Sequence, residues 1–185
     1  MLKITYFVHG TTFDNEQDLA TGWNQGELSE LGRRQATELG KQTAQHRFDV
    51  VFCSDLKRAI DSAELGFGEK YTIIQDARLR EANYGSFTGV PADSFKLNLD
   101  EYVERPFPGG ESYRQIEKRI ASFLAEVKKT YSGKHIAIVA HQAPQLALDV
   151  LLRARSWEQA MAEDWRHRKA WQPGWGYIVA DGVPG

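Results

Sequence analysis

Residues 135–153 read HIAIVAHQAPQLALDVLLR and contain one complete strand-to-helix unit. The apolar run 135–140 is rich in β-branched residues, which predicts a strand buried on both faces. Pro144 suits the first turn of a helix, which we expect over 144–153. A buried strand that leads directly into a helix is the repeating unit of an α/β domain with a parallel sheet.

The sequence on either side repeats this unit. Further strands are predicted at 4–8, 49–53, 71–75 and 177–180. Further helices are predicted from Ser29 to about residue 46, after Ser54, over roughly 111–131 and from Ser156. We therefore expect one α/β domain over 1–185, in which helices cover both faces of a mostly parallel sheet. The Gly- and Pro-containing segment 77–110 is expected to be a mostly irregular loop or lid.

Composition excludes several classes of function. The 185 residues include 23 Lys and Arg against 25 Asp and Glu, so no basic surface favours nucleic acid as a partner. A single cysteine, Cys53, cannot form an intrachain disulfide, which suits a reducing compartment. No apolar run approaches the ~20 residues of a membrane span, and the first strand is too short for a signal-peptide core. We expect a cytoplasmic protein without a membrane partner.

Two histidines and one arginine are placed at strand ends. His9 follows the strand 4–8, His141 follows the strand 135–140, and Arg58 lies in the first turn after the strand 49–53. The carboxyl ends of parallel strands meet at one edge of a sheet, where ligands bind. A neutral imidazole is a nucleophile near pH 7, and a guanidinium binds phosphate oxygens in a fork. The set favours phosphate chemistry, and the alternative is that each histidine only hydrogen-bonds to the backbone.

Six segments carry a more specific signal. In chain order they are VHGTTFDN (8–15), GWNQGELSELGRRQA (22–36), SDLKRAIDSAE (54–64), LREANYGSFTG (79–89), PGGES (108–112) and IVAH (138–141). Together they resemble the motifs of the histidine phosphatase superfamily, the phosphoglycerate-mutase-like enzymes. The resemblance extends to about residue 152 and implies that family's α/β fold and a metal-independent phosphatase of small phosphorylated substrates. The histidine spacing matches no metal-ligand motif, and we predict neither a metal nor another cofactor.

The resemblance assigns a role to each matching residue. It implies that His9 is the nucleophile that becomes phosphohistidine, and that Arg58 and His141 hold the phosphoryl oxygens. It implies that Glu81 is the acid that protonates the leaving oxygen and then activates water, a role worth about 10²–10⁴-fold in rate. Without the surrounding motif, Glu81 is interpreted as a solvated loop carboxylate.

Four further contacts to the phosphoryl group are predicted. Gly10 allows close approach of the backbone, and the amides of Gln142 and Ala143 at a helix start are donors. Asn15 is either an amide donor or an ordinary turn residue.

Position 8 departs from the family pattern. It is Val8, where the family has arginine. Loss of a hydrogen bond to a charged group costs roughly 1.5–3 kcal/mol, or about 10- to 150-fold. The candidate substitute cations are Lys57, Arg78, Arg80 and Arg114. Ala82 stands where mutases carry arginine, which argues against mutase activity.

Three functions remain open from the sequence. The first is a phosphatase with activity weakened by Val8. The second is a catalytically impaired relative that binds a phosphorylated ligand or a protein. The third, of minor weight, is a mutase-type phosphotransferase. The apolar residues of the loop 90–110 either cover the pocket or pack as part of the core. The tryptophan-rich C-terminal segment matches no motif. The protein is expected to be a monomer or a homodimer.

Overall fold

A computed structural model describes residues 1–96 and 98–180 of the chain. The strands are β1 (Leu2–Val8), β2 (Val50–Cys53), β3 (Ile73–Gln75), β4 (His135–Ala140) and β5 (Trp175–Val179). The helices are α1 (Phe13–Glu16), α2 (Glu30–Gln42), α3 (Lys57–Phe67), α4 (Asp93–Lys96), α5 (Tyr113–Thr130), α6 (Gln142–Arg153) and α7 (Trp157–Ala162). Short 3-10 turns lie at Ala77–Leu79, Gly85–Phe87 and Leu99–Tyr102.

The five strands form one sheet in the order β3-β2-β4-β1-β5. Four of them are parallel, and β5 runs antiparallel to β1 at the edge. The predicted α/β class with a mostly parallel sheet is therefore confirmed. Val8 pairs with Ala140 in the register of β1 and β4, so the next residues, His9 and His141, leave the same edge side by side.

Helix starts follow the side chains that cap them. Ser29 caps α2, and Ser112 and Ser156 form capping boxes with Gln115 and Gln159, as such sequences predict. Ser54 does not cap α3, which begins three residues later at Lys57 because Ser54 Oγ instead accepts from the amide of Leu56. The prediction of Ser54 as that helix's cap was wrong.

Helix α6 begins at Gln142, two residues before the predicted start. His141 is its N-cap residue and makes no side-chain capping bond. His141, a predicted catalytic residue, therefore directly precedes the first residue of α6.

The loop 90–110 packs as core. Phe95, Leu99, Tyr102 and Phe107 are all buried, so the core alternative is confirmed for them, and Leu97 lies outside the described residues. Phe95, Tyr102 and Phe107 form an aromatic cluster with Tyr84.

Cys53 is part of the hydrophobic core. Cys53 is fully buried, and burial raises the pKa of its thiol to about 12, which makes it unreactive. No helix within the described ranges is long and apolar enough to cross a membrane.

Candidate active site

His9 stands at the end of β1 with a defined free nitrogen. Its Nδ1 lies 2.7 Å from the carbonyl oxygen of Gly10, so Nδ1 carries the proton and donates it to that oxygen. The lone pair of the imidazole is then on Nε2. Burial and the charge of Arg58 lower the pKa of His9 to about 3, so the ring is neutral at physiological pH. A neutral, oriented imidazole is the form that acts as a nucleophile.

His141 faces His9 and is fully buried. The two ring centroids are 5.0 Å apart. Neither ring nitrogen of His141 has a hydrogen-bond partner among the described residues, although both nitrogens are buried. Burial and the nearby Arg58 lower the pKa of His141 well below its usual value. An unpaired buried polar group costs about 1–3 kcal/mol, and in native proteins such groups often mark a site for a ligand or water.

Tyr6 fixes the backbone at His141, a role that sequence reasoning missed. Its hydroxyl donates to the carbonyl oxygen of His141 at 2.6 Å and accepts from the amide of the same residue at 2.9 Å. Tyr6 is buried in β1, so it joins the ends of the two central strands. The apolar run 4–8 predicted a strand that contains Tyr6 but gave no sign of this contact.

Arg58 is buried at the start of α3 and is held by a turn. Its guanidinium donates to the carbonyl oxygens of Asn24, Gln25 and Gly22 at 2.7, 3.3 and 2.8 Å. A guanidinium has five N–H groups, so Nε and one hydrogen on Nη2 stay available for an anion. The GWNQ motif thus supplies the carbonyls that orient the arginine.

Glu81 is held by the start of α6. Its Oε1 accepts from the amides of Ala82 and Ala143 at 2.9 and 3.0 Å, and its Oε2 accepts from the amide of Gln142 at 3.2 Å. The side chain is buried rather than solvated, so the interpretation as a solvated loop carboxylate was wrong.

Two residues hold the backbone of Glu81. Trp23 Nε1 and Arg119 Nη2 donate to its carbonyl oxygen at 2.8 and 3.0 Å. Neither was a candidate from the sequence, and the GW turn was the available signal for Trp23.

Three predicted phosphate contacts are used elsewhere in this structure. The amides of Gln142 and Ala143 bind Glu81, which corrects their assignment to the phosphate. The amide of Gly10 donates to Ser62 Oγ at 3.0 Å. A Cβ at Gly10 would lie 2.3 Å from the carbonyl oxygen of Gly32, so glycine is required there because α2 crosses the loop in backbone contact.

Asn15 has the turn role that the sequence left open. Its Oδ1 accepts from the amide of Thr12 at 3.0 Å, and Thr12 Oγ1 accepts from the amide of Asn15 at 3.0 Å. Asn15 is exposed. Donation to a phosphoryl oxygen by its amide nitrogen stays a prediction.

The four candidate substitute cations are all bound to carboxylates. The pairs are Lys57–Asp61, Arg78–Asp76, Arg80–Asp55 and Arg114–Glu104, with distances of 2.5, 2.6, 2.6 and 2.8 Å. Arg166 is a further cation near the histidines: its charge contributes to lowering the pKa of both His9 and His141, and the charge of Arg119 contributes to lowering the pKa of His141. Arg166 lies in the C-terminal segment that matches no motif.

Two cavities open near the site. One of about 600 Å³ is lined by Val8, His9, Gly10, Trp165 and Trp171 together with residues of α2. The other, of about 440 Å³, has the polar lining residues Lys96, Asp100, Gln142, Glu158, Asp164 and His167 and the apolar lining residues Leu99, Leu146, Met161 and Ala162. Gln142, whose backbone amide donates to Glu81, lines the second cavity.

Comparison with known proteins decides the family. The profile of the histidine phosphatase superfamily (branch 1) matches residues 6–172. The chain belongs to the histidine phosphatase superfamily. Within the described residues no cluster of His, Cys, Asp or Glu side chains is placed to hold a metal ion, and the prediction of a metal-free enzyme stays a prediction.

Relatives in this superfamily include phosphatases and mutases. The chain is 27% identical over 157 residues to phosphoserine phosphatase 1 of Hydrogenobacter thermophilus, covering 80% of this chain and 74% of the relative. It is 30% identical over 171 residues to a 2,3-bisphosphoglycerate-dependent phosphoglycerate mutase of Parvibaculum lavamentivorans, covering 83% and 81%.

A solved histidine phosphatase structure shares the fold. It is the mycobacterial glucosyl-3-phosphoglycerate phosphatase in complex with VO3, with a TM-score of 0.78 and 27% identity over 86% of each chain. Members of the superfamily act on small phosphorylated substrates, and the phosphoglycerate-mutase-like fold predicted from the motifs is confirmed.

Proposed function

We propose that this chain hydrolyses a small phosphomonoester through a phosphohistidine on His9. The observation that carries the proposal is the pair of facing imidazoles at the sheet edge. One has its nucleophilic nitrogen free, and the other is buried with both nitrogens unpartnered beside the guanidinium of Arg58. An anion with several acceptor oxygens accepts from the one N–H of the neutral His141, for which the described residues supply no partner, and from the N–H groups of Arg58 that do not bind the turn.

The first step forms the phosphoenzyme. The lone pair of His9 Nε2 attacks phosphorus, the P–O ester bond breaks, and the leaving oxygen takes a proton from the carboxyl of Glu81. The ring then carries a positive charge, because Nδ1 keeps its proton. The carbonyl oxygen of Gly10, 2.7 Å away, stabilises that charge.

The second step releases phosphate. Glu81, now a carboxylate, takes a proton from a water molecule, whose oxygen attacks phosphorus as the P–N bond breaks. His9 regains its lone pair and Glu81 regains its proton. Three backbone N–H groups hold the side chain of Glu81 in place, so one residue serves as the acid of the first step and the base of the second.

The leaving group occupies the cavity of about 440 Å³ on the Glu81 side. In-line attack by His9 puts the leaving oxygen opposite the nucleophile, which is the side of the acid. The half-buried Lys96 lines this cavity, and none of the described residues forms an ion pair with its ammonium. Asp100, Glu158 and Asp164 line the same cavity, so the ammonium of Lys96 is the group there that would pair with a carboxylate on the leaving group, as in phosphoserine and phosphoglycerate, the compounds named for two relatives.

Val8 supports the alternative of a binding protein with impaired catalysis. That alternative predicts tight binding of phosphate esters and turnover that is insensitive to His9→Ala. A phosphotransferase would transfer the phosphoryl group to an added alcohol in preference to water.

The deciding experiment measures hydrolysis of an aryl phosphate across pH 5–8 for the chain, His9→Ala and Val8→Arg. We expect turnover by the chain, none by His9→Ala, and faster turnover by Val8→Arg. A phosphoenzyme should be trapped by alkaline quench and mass spectrometry. Absence of turnover in both the chain and Val8→Arg would overturn the proposal.

A further inference from the structure

A phosphoryl dianion at this site needs more positive charge than Arg58 supplies. His9 and His141 are both neutral, because burial and Arg58 lower the pKa of each. One guanidinium therefore faces two negative charges. Position 8, from which a second guanidinium would reach the nucleophile, carries a valine.

The C-terminal segment folds over this gap. Trp165 lines the same cavity as Val8 and His9. The guanidinium of Arg166 lies over the Trp165 ring, 4.5 Å from its centroid. Both side chains bind Gln145 Oε1, each at 3.2 Å. Gln145 follows His141 by four residues, or about 6 Å along the helix axis, so Arg166 is attached to α6 one turn beyond His141.

A buried carboxylate fixes the position of Arg166. Arg166 Nη1 donates to Asp164 Oδ1 at 2.9 Å, and the Asp164 side chain is 1% exposed. The side-chain amide of Gln142 donates to the other oxygen of Asp164. Gln142 also holds Glu81 through its backbone amide, so Arg166, Asp164, Gln142 and Glu81 form one chain of contacts around the site.

We propose that Arg166 supplies the second guanidinium for the phosphoryl group, in place of an arginine at position 8. The inference rests on the proposed function for the identity of the anion. Two of the five N–H groups of Arg166 are used by Asp164 and Gln145, and three remain for phosphoryl oxygens. Its planar fork and fixed charge suit a phosphate. Stacking on Trp165 orients it without consuming a donor.

Other cations fit this role less well. The charge of Arg119 also acts on His141, but its guanidinium makes four hydrogen bonds, to Glu111, to the backbone of Arg78 and to the backbone of Glu81, which leaves one N–H for an anion. Lys96 lines the leaving-group cavity rather than the cavity that contains His9.

The test is a double-mutant comparison of Arg166→Gln and Val8→Arg, alone and combined. Binding of orthovanadate and inorganic phosphate is measured by isothermal titration calorimetry, and aryl phosphate hydrolysis is measured in parallel. Arg168→Gln is the matched control, because Arg168 is an exposed arginine of the same segment. Arg166→Lys keeps the charge and the partner of Asp164 while removing the fork, so it reports on binding if Arg166→Gln fails to fold.

We expect Arg166→Gln to weaken orthovanadate binding by about 10- to 150-fold, Arg166→Lys to lie in between, and Arg168→Gln to match the parent. In the Val8→Arg background, the loss from Arg166→Gln should shrink to less than about threefold, because residue 8 then supplies the charge. A purely structural role for Arg166 predicts the same loss in both backgrounds, which would overturn the inference. Unchanged affinity in Arg166→Gln would also overturn it. Anion binding is measured independently of turnover, so a failure of the phosphatase proposal gives a separate result.

Discussion

Replacing Glu81 by glutamine separates the chemistry of its carboxylate from its role at the start of α6. The carboxylate accepts three backbone N–H groups, two on Oε1 and one on Oε2. Glutamine retains the two bonds to its oxygen, but its NH₂ group then faces the amide of Gln142. One charge-assisted bond is lost and two donors meet, which costs about 1.5–3 kcal/mol in the free energy of unfolding. For a domain of this size the melting temperature should fall by roughly 3–12 °C.

The kinetic effect should depend on the leaving group. An alkoxide leaves poorly without a proton, so we expect kcat on an alkyl phosphate to fall by about 10²–10⁴-fold in Glu81→Gln. A nitrophenolate leaves without protonation, so transfer to His9 should stay fast. Hydrolysis of the phosphoenzyme still needs the base, and the assay should therefore show a burst of one nitrophenolate per enzyme, followed by slow turnover.

Glu111→Gln is the matched control for this experiment. Glu111 also accepts a backbone N–H, from Asn83 at 3.0 Å, and pairs with Arg119 at 2.8 Å. It should lose stability while keeping the ratio of alkyl to aryl rates. If Glu81→Gln slows the first turnover of alkyl and aryl phosphates equally, or if it melts lower with unchanged kinetics, Glu81 is a helix-capping residue and the acid–base assignment is wrong.

Three further predictions follow from the buried histidines and from the leaving-group cavity. The pKa values of His9 and His141 are lowered in the folded chain, so below about pH 6.5 the unfolded chain takes up two protons that the folded chain does not. The free energy of unfolding should therefore fall with decreasing pH by up to about 2.7 kcal/mol per pH unit. Chemical denaturation from pH 7 to 4.5 should show a much shallower dependence on pH in the His9→Ala/His141→Ala double variant. His141→Phe removes two buried nitrogens that have no partner among the described residues, so its free energy of unfolding should equal that of the parent or exceed it by up to about 1–3 kcal/mol. Added phosphate should no longer raise its melting temperature. A retained phosphate-dependent shift in melting temperature would contradict the assignment of His141. Lys96→Ala should raise KM about tenfold or more for phosphoserine but leave KM for an aryl phosphate within twofold, and equal changes for the two substrates would place the carboxylate elsewhere.

The apolar patterns of the strands predicted those candidate site residues that lie at strand ends and helix starts. His9 and His141 end the two central strands, and strand β4 matches its predicted bounds at His135–Ala140. The register of β1 with β4 then brings the two rings together. The motif resemblance added Glu81, which no periodicity singles out in an irregular loop.

The contacts that the sequence did not reveal depend on long-range packing. Tyr6 bonds to the backbone of His141, 135 positions later. Arg166 reaches α6 through Gln145, 21 positions earlier. Neither pair has a spacing typical of one helix face or one turn. The four cations proposed from the sequence lie in ion pairs, and the formal charge of a side chain does not reveal such pairs.

The placement of β1 has a consequence for the folding of the chain during its synthesis on the ribosome. β1 emerges early, but its two neighbours in the sheet are β4 and β5, and Val8 meets its partner Ala140 only 132 positions later. At about 5–20 residues per second, roughly 7–26 s of synthesis separate the two residues. The apolar strand that carries His9 is unpaired during that time, which makes it a target for chaperones and for aggregation. Slowing translation should therefore lengthen the exposure of this strand without changing the finished protein.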